Sequence, residues 1–179
     1  VGSVPSGIVY AQGQFRSNSY REYLQETGFA GFDQNDVLVV AKTMTVDQAN
    51  ALGIRDGCEF GPVLIMNGEI NDVAYNSNSG YTPRSAIGHR ADGTVIFVCV
   101  DGRQPGSVGG TYHDVIDIMV EYGAVNACNM DGGSSSVMLY RDTYGRYGEA
   151  GKVQMINSYS LLQAEPRKMP DFWMVRPEQ

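Results

Sequence analysis

Several familiar signals are scarce in this sequence. The three cysteines, Cys58, Cys99 and Cys128, are odd in number and show no CxxC spacing. Neither a disulfide framework nor a thiolate metal site is therefore signalled. Cys99 and Cys128 lie in apolar runs and read as small buried hydrophobes. The two histidines, His89 and His113, have no HxxxH or HxH partner, so no zinc site is expected. Basic runs are absent, and 13 Lys and Arg against 20 Asp and Glu leave a net charge of -7. Non-specific nucleic-acid binding is not expected from such a chain. An anionic ligand would have to be held by a local cluster of arginines, because the overall charge repels it weakly. No apolar run is long enough to cross a membrane, a task that takes about 18 residues or more. Val1 to Gly7 lack the basic start and apolar stretch of a secretion signal. Ser134 to Ser136 do not sit in a GxSxG elbow, and the glycines before them lack the Lys-Ser/Thr of a nucleotide P-loop.

Glycine is plentiful: 22 of 179 residues, in a chain that is 42% hydrophobic and 18% charged. That composition suits one globular domain, here residues 1–179, with a site built from loops. Strands are expected at Gly7–Tyr10, Val37–Ala41, Val63–Met66, Thr94–Val100, Val125–Met130 and Ser136–Tyr140. Asn67-Gly68 and Asp92-Gly93 read as hairpin turns. A helix is expected over Val46–Leu52, with Thr45 and Gln48 as a capping box and Gly53 as its stop. A second is expected over Tyr112–Tyr122, capped by Thr111 and ended by Gly123, with Val115, Ile118, Met119 and Tyr122 on its apolar face. Asn18–Gln25 is ambiguous between states, and Asp142–Lys152 reads as a loop. Strand, helix and strand alternate only over residues 94–130, so the expected class is α+β: a mixed or antiparallel sheet of short strands with two main helices packed on it.

Three segments carry candidate chemistry. In Asn129-Met130-Asp131-Gly132-Gly133-Ser134-Ser135, a carboxylate stands at the end of an apolar strand, followed by glycines that let backbone N–H groups approach a ligand. A plain turn in which Asp131 bonds its own backbone accounts for the same residues. Val100-Asp101-Gly102-Arg103 ends another apolar strand the same way. If the two strands are neighbours, two carboxylates and a guanidinium converge at one sheet edge, and paired carboxylates serve glycosidic bond cleavage. Arg84, in Pro83-Arg84-Ser85-Ala86-Ile87-Gly88-His89, starts a further strand and suits a bidentate clamp on phosphate; a surface ion pair is the alternative.

In order and spacing, these segments resemble the phosphodiester glycosidase family. The matching pieces are Arg84 to Gly88, Asp101-Gly102-Arg103, the helix after Gly109-Gly110, and Asn129 to Ser135. Phe60 to Gly68 and Arg167 to Phe172 extend the likeness on either side, to about residues 5–176. That family includes the enzyme that uncovers mannose-6-phosphate by removing a capping N-acetylglucosamine, and bacterial proteins associated with exopolysaccharide. Two departures stand out. The Asn-Gly-Gly-Phe-like segment usual near the family's start is missing, so the chain is expected to lack an N-terminal segment. Ser134 replaces a frequent third glycine.

The resemblance implies hydrolysis of a sugar-1-phosphodiester bond in a small molecule or glycan, outside the cell or in its envelope. It implies Asp131 as nucleophile or base and Asp101 as second carboxylate. Arg84, Arg103 and Arg167 would bind substrate, with Asn129, Gly132, Gly133, Ser134 and Ser135 around the sugar or phosphate oxygens. No cofactor is expected. Two other readings stay open: a phosphodiesterase with a divalent ion on Asp101 and Asp131, cleaving the P–O bond, and a sugar-phosphate-binding module without catalysis.

Overall fold

The computed structural model describes residues 5–19, 27–143, 145, 148–159 and 166–176. The first half builds one antiparallel sheet: β1 (Gly7–Ala11), β2 (Gln14–Ser19), β3 (Gly28–Asp33), β4 (Leu38–Ala41) and β5 (Ile54–Phe60), in the order β2-β1-β5-β3-β4. Helix α1 (Val46–Ala51) lies between β4 and β5 and carries the expected capping box of Thr45 and Gln48. Gly53, at φ 65°, turns the chain out of it.

The second sheet contains β6 (Val63–Met66), β7 (Glu69–Ile70), β8 (Arg84–Arg90), β9 (Val95–Val100) and β10 (Ala124–Met130), in the order β7-β6-β10-β8-β9. Its pairings are antiparallel too. Asn67 and Gly68 both take positive φ, as the primed turn of a tight hairpin requires. A four-residue helix, α2 (Asp72–Tyr75), follows β7, and α3 (Tyr112–Glu121) joins β9 to β10. Thr111 caps α3 in a box with Asp114. A ribbon of β11 (Leu139–Arg141) and β12 (Val153–Met155) completes the described strands. The class is α+β.

Burial orders these elements into layers. Ala30, Leu38 and Val40 of the first sheet pack on Val63, Ile87, Cys128 and Met130 of the second. Leu64, Ala86 and Ala127 of the second sheet pack on Val115, Ile116 and Met119 of α3. Ile8, Tyr10 and Phe29 meet Ala49 of α1 on the far side of the first sheet. Each fully buried aliphatic side chain contributes roughly 1.5–3 kcal/mol, so the interior between the sheets fixes where their strand ends lie. The ring nitrogens of buried His89 lie 3.1 Å from the Leu38 carbonyl oxygen and 2.9 Å from that of Arg90, tying β8 to the first sheet. Cys128 is fully buried and Cys99 only partly; burial pushes the Cys99 thiol up to about 12 and the Cys128 thiol up as well.

Three sequence expectations need correction. The buried face of α3 is Val115, Ile116 and Met119, with Tyr122 exposed; the helix is rotated so that Tyr112 joins this stripe. The strand expected at Ser136–Tyr140 starts only at Leu139, because the N–H groups of Ser135 and Ser136 bond back to the Gly132 and Gly133 carbonyls and hold a turn there. Strands β2, β3 and β5, each carrying glycine or charge, lie outside the expected strands. Of the ambiguous Asn18–Gln25, Asn18 and Ser19 end β2, and the remainder lies outside the described residues.

Candidate active site

Antiparallel pairing of β8 with β10 sets the site. Its register places Ser85 opposite Met130, so the next residues outward, Arg84 and Asp131, meet at the facing strand ends. A pocket of about 580 Å³ opens there, lined among others by Arg84, Arg103, Asn129, Asp131, Gly132 and Gly133. Six of the ten expected site residues are thus brought together. Asp101, Ser134, Ser135 and Arg167 stand outside this lining.

Arg84 is buried, with 7% of its surface exposed. Its Nε donates to the Gly110 carbonyl at 3.0 Å, and Nη2 donates to the carbonyls of Ser79 and Gly80 at 2.7 and 3.0 Å. The guanidinium also lies 4.3 Å over the Tyr112 ring. None of these partners is a carboxylate, so the positive charge is oriented but not neutralised by them. The loop from Ser79 to Thr82 and the start of α3 are fastened together by it. Thr82 and Gly110 reinforce this with reciprocal backbone bonds of 3.3 and 3.0 Å.

Arg103 is exposed and takes φ 57°, in the left-handed region. Its Nη2 lies 3.5 Å from Thr82 Oγ1. Its guanidinium approaches Gly133 so closely that a Cβ there would lie 3.3 Å from Nη1. Gly132 is equally constrained: a Cβ would stand 2.6 Å from the Pro83 carbonyl oxygen. Gly133 N donates to that same oxygen at 2.8 Å. The glycines therefore press the Asp131 loop against the Arg84 strand. The N–H groups of Gly133, Ser135 and Ser136 are all used on protein carbonyls, which leaves fewer of them for ligand oxygens than the sequence suggests.

Asp131 has a half-exposed side chain. Its Oδ2 accepts from Ser135 Oγ at 2.7 Å and pairs with Arg167 Nη2. Asn129 is 2% exposed; its Nδ2 donates to Gly61 O at 2.8 Å and its N–H to Pro62 O at 2.9 Å. Asn129 Oδ1 is buried without a hydrogen bond. Ser134 contributes its carbonyl, which accepts from Tyr159 OH at 2.8 Å.

Asp101 is occupied elsewhere. Oδ1 accepts from Asn157 Nδ2 at 3.0 Å, and Oδ2 accepts from Ser158 N at 3.0 Å. The same Asn157 amide donates to Ser136 O at 3.1 Å. Asn157 thus links the Asp101 turn to the Asp131 loop. Asn157, Thr82, Tyr112 and Ser79 were not singled out by sequence reasoning, since nothing local marks a residue whose role is to bridge loops. Among the described residues, no three His, Cys, Asp or Glu side chains are grouped to hold a metal ion.

Comparison with known proteins bears on the family and the fold. A Bacillus subtilis (strain 168) protein, the SPbeta prophage-derived uncharacterized protein YomE, is 30% identical over 135 residues, which is 70% of this chain and 21% of that protein. The catalytic domain of zebrafish N-acetylglucosamine-1-phosphodiester alpha-N-acetylglucosaminidase, auto-inhibited by its pro-peptide, superposes with a TM-score of 0.58 at 21% identity. It shares the fold over 73% of this chain and 47% of its own. A hypothetical protein from Synechocystis is similar over 73% of this chain and 43% of its own, with 18% identity and a TM-score of 0.42. The chain spans about a fifth of the Bacillus protein and just under half of the zebrafish domain. The sequence matches the phosphodiester glycosidase family over residues 1–176, and the chain belongs to that family.

Proposed function

We propose that this chain hydrolyses the bond between the anomeric carbon of a sugar and the oxygen of a phosphodiester. The observation that carries this reading is one pocket holding the Asp131 carboxylate beside two guanidinium groups, Arg84 and Arg103, neither of which pairs with a carboxylate among the described residues. Two uncompensated cations suit a phosphodiester anion, and a nearby carboxylate suits the positive charge that grows on an anomeric carbon. The zebrafish relative's name supports an N-acetylhexosamine as the sugar.

In this mechanism Arg84 and Arg103 hold the phosphate and stabilise it as it leaves. A phosphate monoester leaves with less help from a general acid than an alcohol needs, so a second carboxylate in the pocket is not required. Asp131 stabilises the oxocarbenium-like transition state and acts as nucleophile, or as base toward water. Water supplies its hydroxyl to the anomeric carbon and gives up its proton to Asp131, which passes it to solvent or to the departing phosphate; the products are free sugar and a phosphate monoester.

The test is hydrolysis in water enriched in the heavy isotope of oxygen, using an N-acetylglucosamine phosphodiester. The expected result is a phosphate product free of label, because the C–O bond breaks. Label in the phosphate, with activity abolished by a chelator, would overturn this reading in favour of metal-assisted P–O cleavage.

A further inference from the structure

Among the described residues, Asp131 is held from one side only. Ser135 Oγ donates to Oδ2 at 2.7 Å, and Arg167 Nη2 pairs with the same oxygen. Arg167 Nε donates to Ser135 Oγ at 2.8 Å. Among the described residues, none donates to Oδ1. The side chains of Arg167 and Asp131 are 31% and 48% exposed, so the carboxylate is fixed without being sealed off.

Arg167 reaches this point from a segment docked beside the end of β10. Trp173 Nε1 lies 3.4 Å from Met130 Sδ, and its ring meets Phe32 edge-on at 5.7 Å. Met130 and Asp131 are consecutive, so the one segment grips both the last strand residue and the carboxylate after it. Arg167 differs from Arg84 and Arg103 in being outside the pocket lining. Its nitrogens turn to Asp131 and Ser135.

We propose that Arg167, with Ser135, is a positioning residue: it fixes the Asp131 carboxylate through Oδ2 and leaves Oδ1 as the oxygen that meets the reacting centre. This rests on the glycosidase reading of the pocket. An aspartate at a half-exposed loop samples several rotamers, and only some present an oxygen to the anomeric carbon. Holding the productive one in advance lowers the barrier without adding a contact to substrate. The planar fork of arginine reaches Ser135 and Asp131 together, through Nε and Nη2, which a lysine ammonium on its flexible stem does not reproduce. The Ser135 hydroxyl hydrogen is committed to Asp131, so Ser135 serves the pair as a link and not as a nucleophile.

The experiment compares Arg167→Ala and Arg167→Lys with the unaltered chain on an N-acetylglucosamine phosphodiester, following kcat and KM separately. For Arg167→Ala we expect kcat to fall about a hundredfold, with KM within about threefold. Guanidinium chloride at tens of millimolar, far below denaturing levels, should restore about tenfold or more of the lost rate in Arg167→Ala and none in Asp131→Asn. Arg167→Lys should stay well below the unaltered chain. A raised KM with kcat intact would make Arg167 a phosphate contact and overturn the proposal. So would a kcat loss that guanidinium does not relieve in a variant that melts like the parent. If Arg167→Ala fails to fold, Ser135→Ala removes one donor to Oδ2 and carries the same comparison of kcat with KM. An inactive unaltered chain would instead overturn the glycosidase reading, and this inference with it.

Discussion

Arg84 opens β8 where Asp131 leaves β10, and the antiparallel register sets the two face to face. Gly132 makes the approach close: a Cβ built on it would come within 3.7 Å of the Arg84 Cα and 2.6 Å of the Pro83 carbonyl oxygen. Cation and carboxylate are therefore placed by the sheet itself, with the loops adding the remainder of the site.

This arrangement makes Gly132→Ala a sensitive probe. The added methyl must push the Asp131 loop away from Pro83, and both contacts are with backbone, which yields little. A loss of stability of about 1–3 kcal/mol is expected, together with a lower kcat as Asp131 moves. Denaturant unfolding and steady-state kinetics on one preparation check both. Parent-like values in both would mean that the close approach has no consequence.

Replacing Arg84 by Lys keeps the charge and loses the geometry. Three bonds to the carbonyls of Ser79, Gly80 and Gly110 depend on the guanidinium fork. Stability should fall by about 2–3 kcal/mol and kcat/KM by roughly tenfold or more, because the loop that frames the pocket is no longer fastened. An unchanged kcat/KM would show that charge alone suffices.

Asp101 separates two assignments. The sequence resemblance makes it the second carboxylate of the reaction; in the structure both of its oxygens are taken up by Asn157 and Ser158. Asp101→Ala is accordingly expected to lower stability by about 1–3 kcal/mol and to leave kcat within about threefold of the parent. A hundredfold loss of kcat without a change in melting would restore Asp101 to the chemistry.

Much of this fold is legible from local signals. Strand β6 occupies the residues expected, and the caps of α1 and α3 follow directly from Thr45, Gln48, Thr111 and Asp114. What was not legible depends on partners far away in sequence. Strand β5, Ile-Arg-Asp-Gly-Cys-Glu-Phe, has poor strand propensity, and it is a strand because it lies between β1 and β3. Periodicity alone does not fix the α3 stripe, because Ile116 and Ile118 fit a helical period about equally; the sheet selects Ile116. The candidate site divides the same way. Asp131 and its glycines stand out as a carboxylate at a strand end, and Arg84 as a strand-start cation. The partnership of Arg167 with Asp131 spans 36 residues of chain, and the bridging role of Asn157 is equally non-local.

Acid should loosen the start of α3, and with it the Gly110 carbonyl that holds Arg84. The N–H of Thr111 donates to Asp114 at 2.7 Å and, with the Thr111 hydroxyl at 2.8 Å, holds its carboxyl below the usual carboxylate range against a smaller opposing effect of burial. A carboxyl depressed in the folded state adds stability that is complete above its unfolded value, about pH 4, and is lost as pH falls through the lower folded value. Asp114→Asn should therefore show a shallower loss of stability than the parent between about pH 5 and pH 2. Urea unfolding midpoints across that range provide the check, and parallel curves would remove Asp114 from the acid response.

Asp131→Asn is the most direct test of the mechanism. Asparagine keeps the size of the side chain, and its carbonyl oxygen still accepts from Ser135 and Arg167. What it loses is charge. The ion pair with Arg167 is partly exposed on both sides, so its loss should cost stability only about 1 kcal/mol. That corresponds to a fall of roughly 2–4 °C in Tm for a chain of this length. The chemistry is affected far more, since a neutral amide is a poor base, a poor nucleophile and a weak partner for a growing oxocarbenium charge. kcat should drop by a hundredfold or more, about 2.7 kcal/mol of barrier. KM should change little, because Arg84 and Arg103 still hold the phosphate. If Asp131 serves only to shape its turn, the pattern reverses: Tm moves and turnover stays. A kcat within about threefold of the parent, under 1 kcal/mol of barrier, would remove Asp131 from the reaction.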